Sequence, residues 1–472
     1  MLTLLLSIVW IGSLLSAGHA MLTKRDPRAA VGWIVTCLAL PGIGALIYWL
    51  LGVNRIRVRS REIQKSGMGM HWLDVGKSPP AADIASFPTS STSQALIKFS
   101  DAVTRRPLVH GNQIKVLHNG EDAYPAMLAA IDTATDSVFL SSYIFISDNI
   151  GDQFAKKLIA AAERGADVRV LIDAVGELYS LKKVRHLFRG TKVKATSFLP
   201  LSLLGSFYFN LRNHRKLLVV DNSCCFTGGM NIRRRHLVGN GSNPRRIIDL
   251  HFRFAGPVCE QLRDAFMEDW HFATKEKRET RVWAPPDKIG TACCRGISAG
   301  PNEQHEKLNW ILIGALGCAK SHIRIMTPYF IPNRAQMAAI NTASLRGVQV
   351  DILLPQKNNL PFVGWASNAL LFELLEQNTN IYFQPPPFIH SKLLLIDDEY
   401  ALVGSANLDP RSLRLNFEFN VEIFDNKTVG ELSDHFDQCR DQAKEVTIED
   451  MDKRRLPARL RDSFCRLFSP YL

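Results

Sequence analysis

The sequence predicts an α/β fold in which two similar units face each other across one active site, preceded by two transmembrane helices. Three observations lead there. A skeleton of six polar and glycine-type positions occurs twice with one spacing, each copy closes a similar run of strands and helices, and two long uncharged runs open the chain.

Residues 2–18 carry no charge, KRDPR (24–28) interrupts, and 31–51 is again uncharged. Each run is close to the ~20 residues a helix needs to cross the hydrocarbon. A signal peptide competes for the first run, since Gly18-His19-Ala20 would pass as a cleavage site. No basic segment precedes it, however, and a second apolar run follows at once. Residues 1–65 are therefore expected to be a two-span membrane anchor, with the second span kinked at Pro41-Gly42. Arg55, Arg57, Arg59, Arg61 and Lys65 argue for a cytoplasmic body, and Lys24, Arg25 and Arg28 argue the reverse.

Residues 66–107 are rich in Ser, Pro, Gly and Ala and read as a linker with short ordered pieces. Beyond them the first unit is placed at 108–285 and the second at 286–472. In the first, VFLSSYIF (138–145), a helix through Phe154 and Leu158, and ADVRVLID (166–173) follow one another. In the second, the strand around 323–330, a helix through Met337 and Ile340, and VQVDILLP (348–355) repeat the order. Strands alternating with helices predict mainly parallel sheets covered on both faces.

The skeleton is His214, Lys216, Asp221, Gly228, Gly229 and Asn231 in the first unit. In the second it is His390, Lys392, Asp397, Gly404, Ser405 and Asn407. Five of its positions would match by chance on the order of 10⁻⁷ times per starting point. Residues two apart on a strand share a face, so each histidine points the same way as its lysine. Asp221 and Asp397 fall at odd offsets, at the far ends of apolar runs suited to buried strands. They are counted with His214, Lys216, His390 and Lys392 as the catalytic set, although turn-holding is expected of these two more than substrate contact. The glycines allow a tight turn before Asn231 and Asn407, whose amides would return as donors.

Two such units facing each other assemble two imidazoles, two ammoniums and two amides. That is a cradle for a phosphate diester without a metal or other cofactor. One neutral imidazole attacks phosphorus, and the other, protonated, serves the leaving oxygen. Neither half holds both a nucleophile and an acid. Each imidazole needs a carboxylate on its other nitrogen. The aligned segments IIDLHFRF and NFEFNVEI offer Asp249 for His214 and Glu418 for His390.

These residues resemble the phospholipase D superfamily with its two HxKxxxxD motifs, and the flanks resemble its bacterial cardiolipin synthases. PLVHGNQIKVLHNGEDAYPAMLAAID, LRNHRKLLVVD, FTGGMNI and GSANLDPRSLRLNFEFN carry the likeness, together with the two-span amino end. The resemblance implies two phospholipase D-like units and a phosphatidyltransferase of the bacterial inner membrane. It would condense two phosphatidylglycerol molecules into cardiolipin and glycerol through a phosphohistidine. It also implies His214 as nucleophile, His390 as general acid, and Lys216, Lys392, Asn231 and Asn407 on the phosphate. A membrane phospholipase D, passing the phosphatidyl group to water, is the alternative.

The net charge of +12 predicts attraction to polyanions, and beside a membrane anchor it favours anionic lipids over nucleic acid. Residues 198–211 form an apolar run leading into His214, readable as an acyl-chain approach or as a buried loop. Arg233, Arg234, Arg235, Arg245 and Arg246 would recruit lipid headgroups or form a solvated charge run. The tail places Leu460, Phe464, Leu467 and Phe468 on one helical face and is expected to pack as a terminal helix. The nine cysteines show no zinc-ligand spacing and read as small buried residues. His236, His251 and the other histidines are expected to be structural or at the surface. Oligomeric state is not legible.

Overall fold

A computed structural model describes residues 1–24, 27–53, 90–180, 182–200, 211–239, 243, 245–276, 281–300 and 306–469. The apolar run 198–211 therefore lies mostly outside the described residues, as does most of the linker. The chain divides into two compact units, Met1–Lys65 and Ser66–Leu472.

In the small unit, helix Leu2–Thr23 is the one described helix long and apolar enough to cross a membrane. The second apolar run departs from the expected kinked span. Helix Pro27–Ala39 stops before Pro41, and the chain resumes as Ile43–Ile47 and a π-helical turn Tyr48–Gly52. Proline removes a donor, and Gly42 takes a φ of 80° that helices do not use. The first helix receives the break: Ser13 Oγ accepts the Gly42 N–H at 2.9 Å, and His19 Nδ1 lies 2.6 Å from the Tyr48 hydroxyl.

The large unit holds one continuous 15-stranded sheet and a separate two-stranded one formed by two short strands. Its first half supplies β1 (Val109–His118), β2 (Ser137–Ser142), β3 (Asp167–Asp173), β4 (Lys194–Phe198), β5 (Leu217–Val220), β6 (Cys224–Gly228), a short β7 (Ile247–Ile248) and β8 (Leu250–Ala255). The second half supplies β9 (Ala292–Ala299), β10 (His322–Met326), β11 (Gln349–Pro355), β12 (Asn380–Gln384), a short β13 (Phe388–Ile389), β14 (Leu393–Ile396), β15 (Tyr400–Gly404), β16 (Glu418–Phe424) and β17 (Lys444–Val446). The order is β17-β12-β11-β10-β14-β15-β16-β9-β1-β8-β6-β5-β2-β3-β4. From the β9–β1 junction outward the two halves run in the same sequence, so the repeat is a repeat of topology. The expected units meet side by side through antiparallel β9 and β1.

The sheet is mixed, where parallel pairing was expected. Only β2-β3-β4 and β10-β11-β12 are parallel. Each motif strand turns straight back on itself, β5 onto β6 and β14 onto β15, and a return after so few residues must be antiparallel.

Helices cover both faces and bury three apolar clusters. One lies under each half, and a central one joins Phe139, Phe198 and Trp270 to Phe417, Phe419 and Val421. The expected linker contains a 14-residue helix, Ser91–Thr104, capped by the Ser90 hydroxyl. It buries Leu96 and Ile97 in the second half's core, and its Ser100 hydroxyl donates to Glu422 at 2.7 Å.

The terminal helix Leu456–Leu467 is present, but the face expected to pack is the exposed one. Leu460, Phe464 and Leu467 are 61%, 57% and 73% exposed. Asp462 and Cys465 turn inward instead, with Cys465 against Val363, Ala366 and Leu370. The cysteines are free thiols, six of them buried and three half-buried.

Candidate active site

His214 and Lys216 lie on the extended chain entering β5, and His390 and Lys392 on the chain entering β14. All four are largely buried, and they sense one another's charge. Burial first, and the ammoniums of Lys392 and Lys216 next, hold His390 well below the ordinary imidazole value. Burial also lowers His214, against the pull of Glu418 and with the push of Lys216 and Lys392. The two lysines respond in kind. Burial pushes Lys216 down to about 7 and Lys392 down to about 8, although carboxylates of both halves draw them up.

The carboxylates reach the imidazoles in the opposite pairing from the one expected. Glu418 Oε2 is 3.0 Å from His214 Nδ1, and Asp249 Oδ2 is 2.8 Å from His390 Nδ1. Each histidine is therefore oriented by the other half. The backbone shows why. Just before the second motif, β13 pairs in parallel with β7, and the His390 N–H donates to the Ile248 carbonyl at 2.7 Å. That places the next residue of the first half, Asp249, beside His390. The mirror contact joins the His214 N–H to the Phe417 carbonyl at 2.9 Å, with Glu418 next in line. Aligning each carboxylate with the motif of its own half missed this exchange, because strand pieces too short to carry a pattern make it.

With Nδ1 engaged, Nε2 is the ring nitrogen left free for chemistry on each histidine. Lys216 Nζ donates to the His214 carbonyl at 2.5 Å, and Lys392 Nζ to the His390 carbonyl, so each ammonium is tied to its motif backbone. Asn231 Oδ1 accepts the Ile144 N–H at 3.0 Å, which leaves its amide N–H groups without a protein acceptor among the described residues. Asn407 is held differently, with Nδ2 donating to Ser412 Oγ at 3.3 Å.

Asp221 and Asp397 spend their hydrogen bonds on backbone N–H groups and not on the motif histidines or lysines. Asp221 accepts the N–H groups of Thr135, Asp136 and Ser137 at 2.8–2.9 Å. Asp397 accepts those of Lys320, Ser321 and His322. Each ties the end of its motif strand to the start of a neighbouring strand. This is the turn-holding role expected from their offsets.

Several residues around the site acquire a role only through the fold. Ser405 Oγ donates to Glu418 Oε2 at 2.5 Å, and Asn416 Nδ2 donates to Oε1 at 3.1 Å. Together with His214 and Lys216 they hold Glu418 below the usual carboxylate range despite its burial. Arg215, between the motif His and Lys, turns to the opposite face and binds the Glu418 carbonyl, Asp269 and Ser298. His236 is fully buried, and its Nε2 accepts the Asn231 N–H at 3.3 Å, so it helps to fix the backbone of Asn231. Among the described residues no group of three or more His, Cys, Asp or Glu is placed to hold a metal ion.

Comparison with known proteins follows the same lines. The model of the family described as cardiolipin synthase, phospholipase D-like domain matches residues 127–270 and 312–440, more than half of the chain. A phospholipase D-nuclease N-terminal model matches 2–52. Cardiolipin synthase A of Pseudomonas entomophila (strain L48) is 30% identical over 480 aligned residues, covering 99% of this chain and 98% of that protein. Cardiolipin synthase 2 of Staphylococcus epidermidis is 31% identical, covering 95% and 93%. Among solved structures, phosphatidylserine synthase of Haemophilus influenzae matches with a TM-score of 0.60 at 14% identity, over 81% of this chain and all of that one. That likeness bears on the fold alone.

Proposed function

The chain belongs to the cardiolipin synthase, phospholipase D-like family, and from that membership we propose that it transfers a phosphatidyl group between two phosphatidylglycerol molecules. The products are cardiolipin and glycerol. The observation that carries the reading is the crossed pair of oriented imidazoles, each with a free Nε2, beside two buried ammoniums.

In the first half-reaction His214 Nε2 forms a bond to phosphorus, and the bond from phosphorus to the glycerol oxygen breaks. His390 gives that oxygen its proton and glycerol leaves. In the second, the hydroxyl of another phosphatidylglycerol yields its proton to His390 and attacks the same phosphorus. The P–N bond breaks and His214 is restored. Burial keeps the attacking imidazole neutral, while the phosphate's negative charge favours the proton on the acid. Lys216 and Lys392, with the amides of Asn231 and Asn407, hold the non-bridging oxygens as negative charge grows. Glu418 and Asp249 fix the tautomers and stabilise each imidazolium.

We read residues 1–65 as a two-pass anchor in the bacterial inner membrane, with the second pass broken at Pro41-Gly42. Anionic lipid is the partner this favours. The exposed apolar face of the terminal helix supports contact with a bilayer, since basic residues (Arg455, Arg459, Arg466) lie on the same helix or at its cap. In flotation with phosphatidylglycerol vesicles, Leu460→Glu with Phe464→Glu should weaken binding of the detergent-free protein, and unchanged recovery would remove that support.

The deciding test is product analysis. Purified protein with labelled phosphatidylglycerol alone should give cardiolipin and equimolar glycerol, with the label trapped on the peptide containing His214. Phosphatidic acid as the main product would make the enzyme a membrane phospholipase D instead. Label on the His390 peptide would exchange the two histidine roles.

A further inference from the structure

The two halves part company at one position next to the site. Arg233 follows Asn231 by two residues, and Asp409 follows Asn407 by two. Asp409 is fully employed, accepting the Ser412 N–H at 2.6 Å as the cap of helix Pro410–Arg414. Arg233 is only 9% exposed, yet its guanidinium has no hydrogen-bond or carboxylate partner among the described residues, and its Nε is enclosed without an acceptor.

The backbone that carries this side chain is firmly held. The Tyr124 hydroxyl lies 2.8 Å from the carbonyls of both Asn231 and Arg233 and accepts the Arg233 N–H at 3.3 Å. His236 holds the Asn231 N–H from the other side. The groups that act on the guanidinium are the phenols of Tyr124, Tyr179 and Tyr329 and the cation of Arg235. None supplies a full negative charge. Arg233 in turn lowers the proton affinity of His390, so it sits within the field of the catalytic cluster. A buried cation with no counter-ion is costly, and such a group is retained where a ligand brings the anion.

We propose that Arg233 holds the phosphate of the acceptor lipid, the phosphodiester that is not being transferred. This rests on the phosphatidyl-transfer reading above. A product with two phosphates requires the site to carry two phosphodiesters one glycerol apart. The two His–Lys pairs converge on the phosphorus under attack and have nothing to spare for the second. Arginine suits that task, because its planar fork binds phosphate oxygens in a bidentate way. In the second half-reaction the acceptor's hydroxyl oxygen bonds to phosphorus, the P–N bond to His214 breaks, and the hydroxyl proton passes to His390. Arg233 touches none of these bonds. It sets which hydroxyl lies over phosphorus, and so favours a phosphorylated glycerol over water or a simple alcohol.

The test is a competition between acceptors. Labelled phosphatidylglycerol is supplied with ethanol as a small neutral acceptor, and cardiolipin and phosphatidylethanol are measured together. In Arg233→Met the cardiolipin-to-phosphatidylethanol ratio should fall at least tenfold, and Arg233→Lys should recover part of it. A ratio within twofold of the parent protein overturns the proposal, as does parallel loss of both products in both variants. If added inorganic phosphate suppresses both products equally, and Arg233→Met relieves this, the position belongs to free phosphate and the acceptor assignment is wrong. A parent protein that makes phosphatidylethanol but no cardiolipin would instead refute the synthase reading. Glycerol 1-phosphate then serves as the charged acceptor, and its preference over ethanol should still drop tenfold in Arg233→Met.

Discussion

The two half-sites carry the same His and Lys and hold them by different means. On one side His214 leans on Glu418, whose carboxylate is gripped by Ser405 and Asn416. On the other, His390 leans on Asp249, one methylene shorter, and the residue matching Ser405 is Gly229. There a Cβ would lie 2.2 Å from Asp249 Oδ1. The longer carboxylate leaves room for a hydroxyl donor, and the shorter one fills that space itself. Arg215 shows the same divergence. It ties the first motif to Asp269 and Ser298, while its counterpart Ser391 has a buried hydroxyl with no partner among the described residues. The motif His, Lys, Asp and Asn are equal in the two halves, and the supports behind them differ. The crossed carboxylates tie each motif histidine to the opposite half.

The sharpest way to break this comparison is to remove one imidazole. His214→Ala and His390→Ala should each lower transfer by at least ~10³-fold, because covalent attack and proton transfer both need a partner from the other half. Near-normal turnover in either variant, measured by cardiolipin formation, would make the halves independent.

Next come the supports. Glu418→Gln and Asp249→Asn should each cost ~10–100-fold in kcat. If the crossing is right, labelling of the His214 peptide slows through Glu418→Gln. Slowing of that first step by Asp249→Asn alone, with Glu418→Gln inert, would restore same-half pairing. Gly229→Ala should resemble Asp249→Asn, since the added methyl displaces that carboxylate, whereas Ser405→Gly should cost only a few-fold through one lost hydrogen bond.

The pH profile of kcat/KM sharpens the comparison further. Lys216 and Lys392 are pushed down to about 7 and about 8, so phosphate binding should weaken as pH rises through that range. Burial lowers the attacking imidazole of His214, so the acid limb that it sets should fall below the ordinary 6.5. Lys216→Arg should carry the first basic decline to higher pH. A basic limb near 10 in the parent protein would mean that the lysines are not desolvated in this way.

The smallest effect concerns the turn-holding aspartates. Burial opposes ionisation of Asp397, but the N–H groups of His322, Ser321 and Lys320 bring its value below the usual one. The ionised form is therefore favoured in the folded chain. Its stabilisation is present above the unfolded carboxylate value and lost as pH falls through the lowered one. Asp397→Ala should cost about 1–2 kcal/mol at pH 7, discounted for partial exposure, and less in acid. A thermal melt with the same loss at both pH values would show that the cost lies in the turn and not in the charge.

The duplicated skeleton could be read directly from the chain, because His, Lys, Asp, Gly and Asn lie along one strand and its return, where spacing is set locally. The duplicated strand-helix order was legible for the same local reason, as was the turn-holding offset of Asp221 and Asp397. The partners of each histidine were not. Pairing between two-residue strands, Ile247–Ile248 with Phe388–Ile389, is decided by how whole halves dock, and no periodicity records it. The same holds for Arg215 and His236, single residues whose meaning comes from what folding brings beside them. It holds too for the terminal helix. Its amphipathic pattern was plain, but only packing could decide which face meets the protein, since an apolar stripe states a demand for cover without naming what covers it.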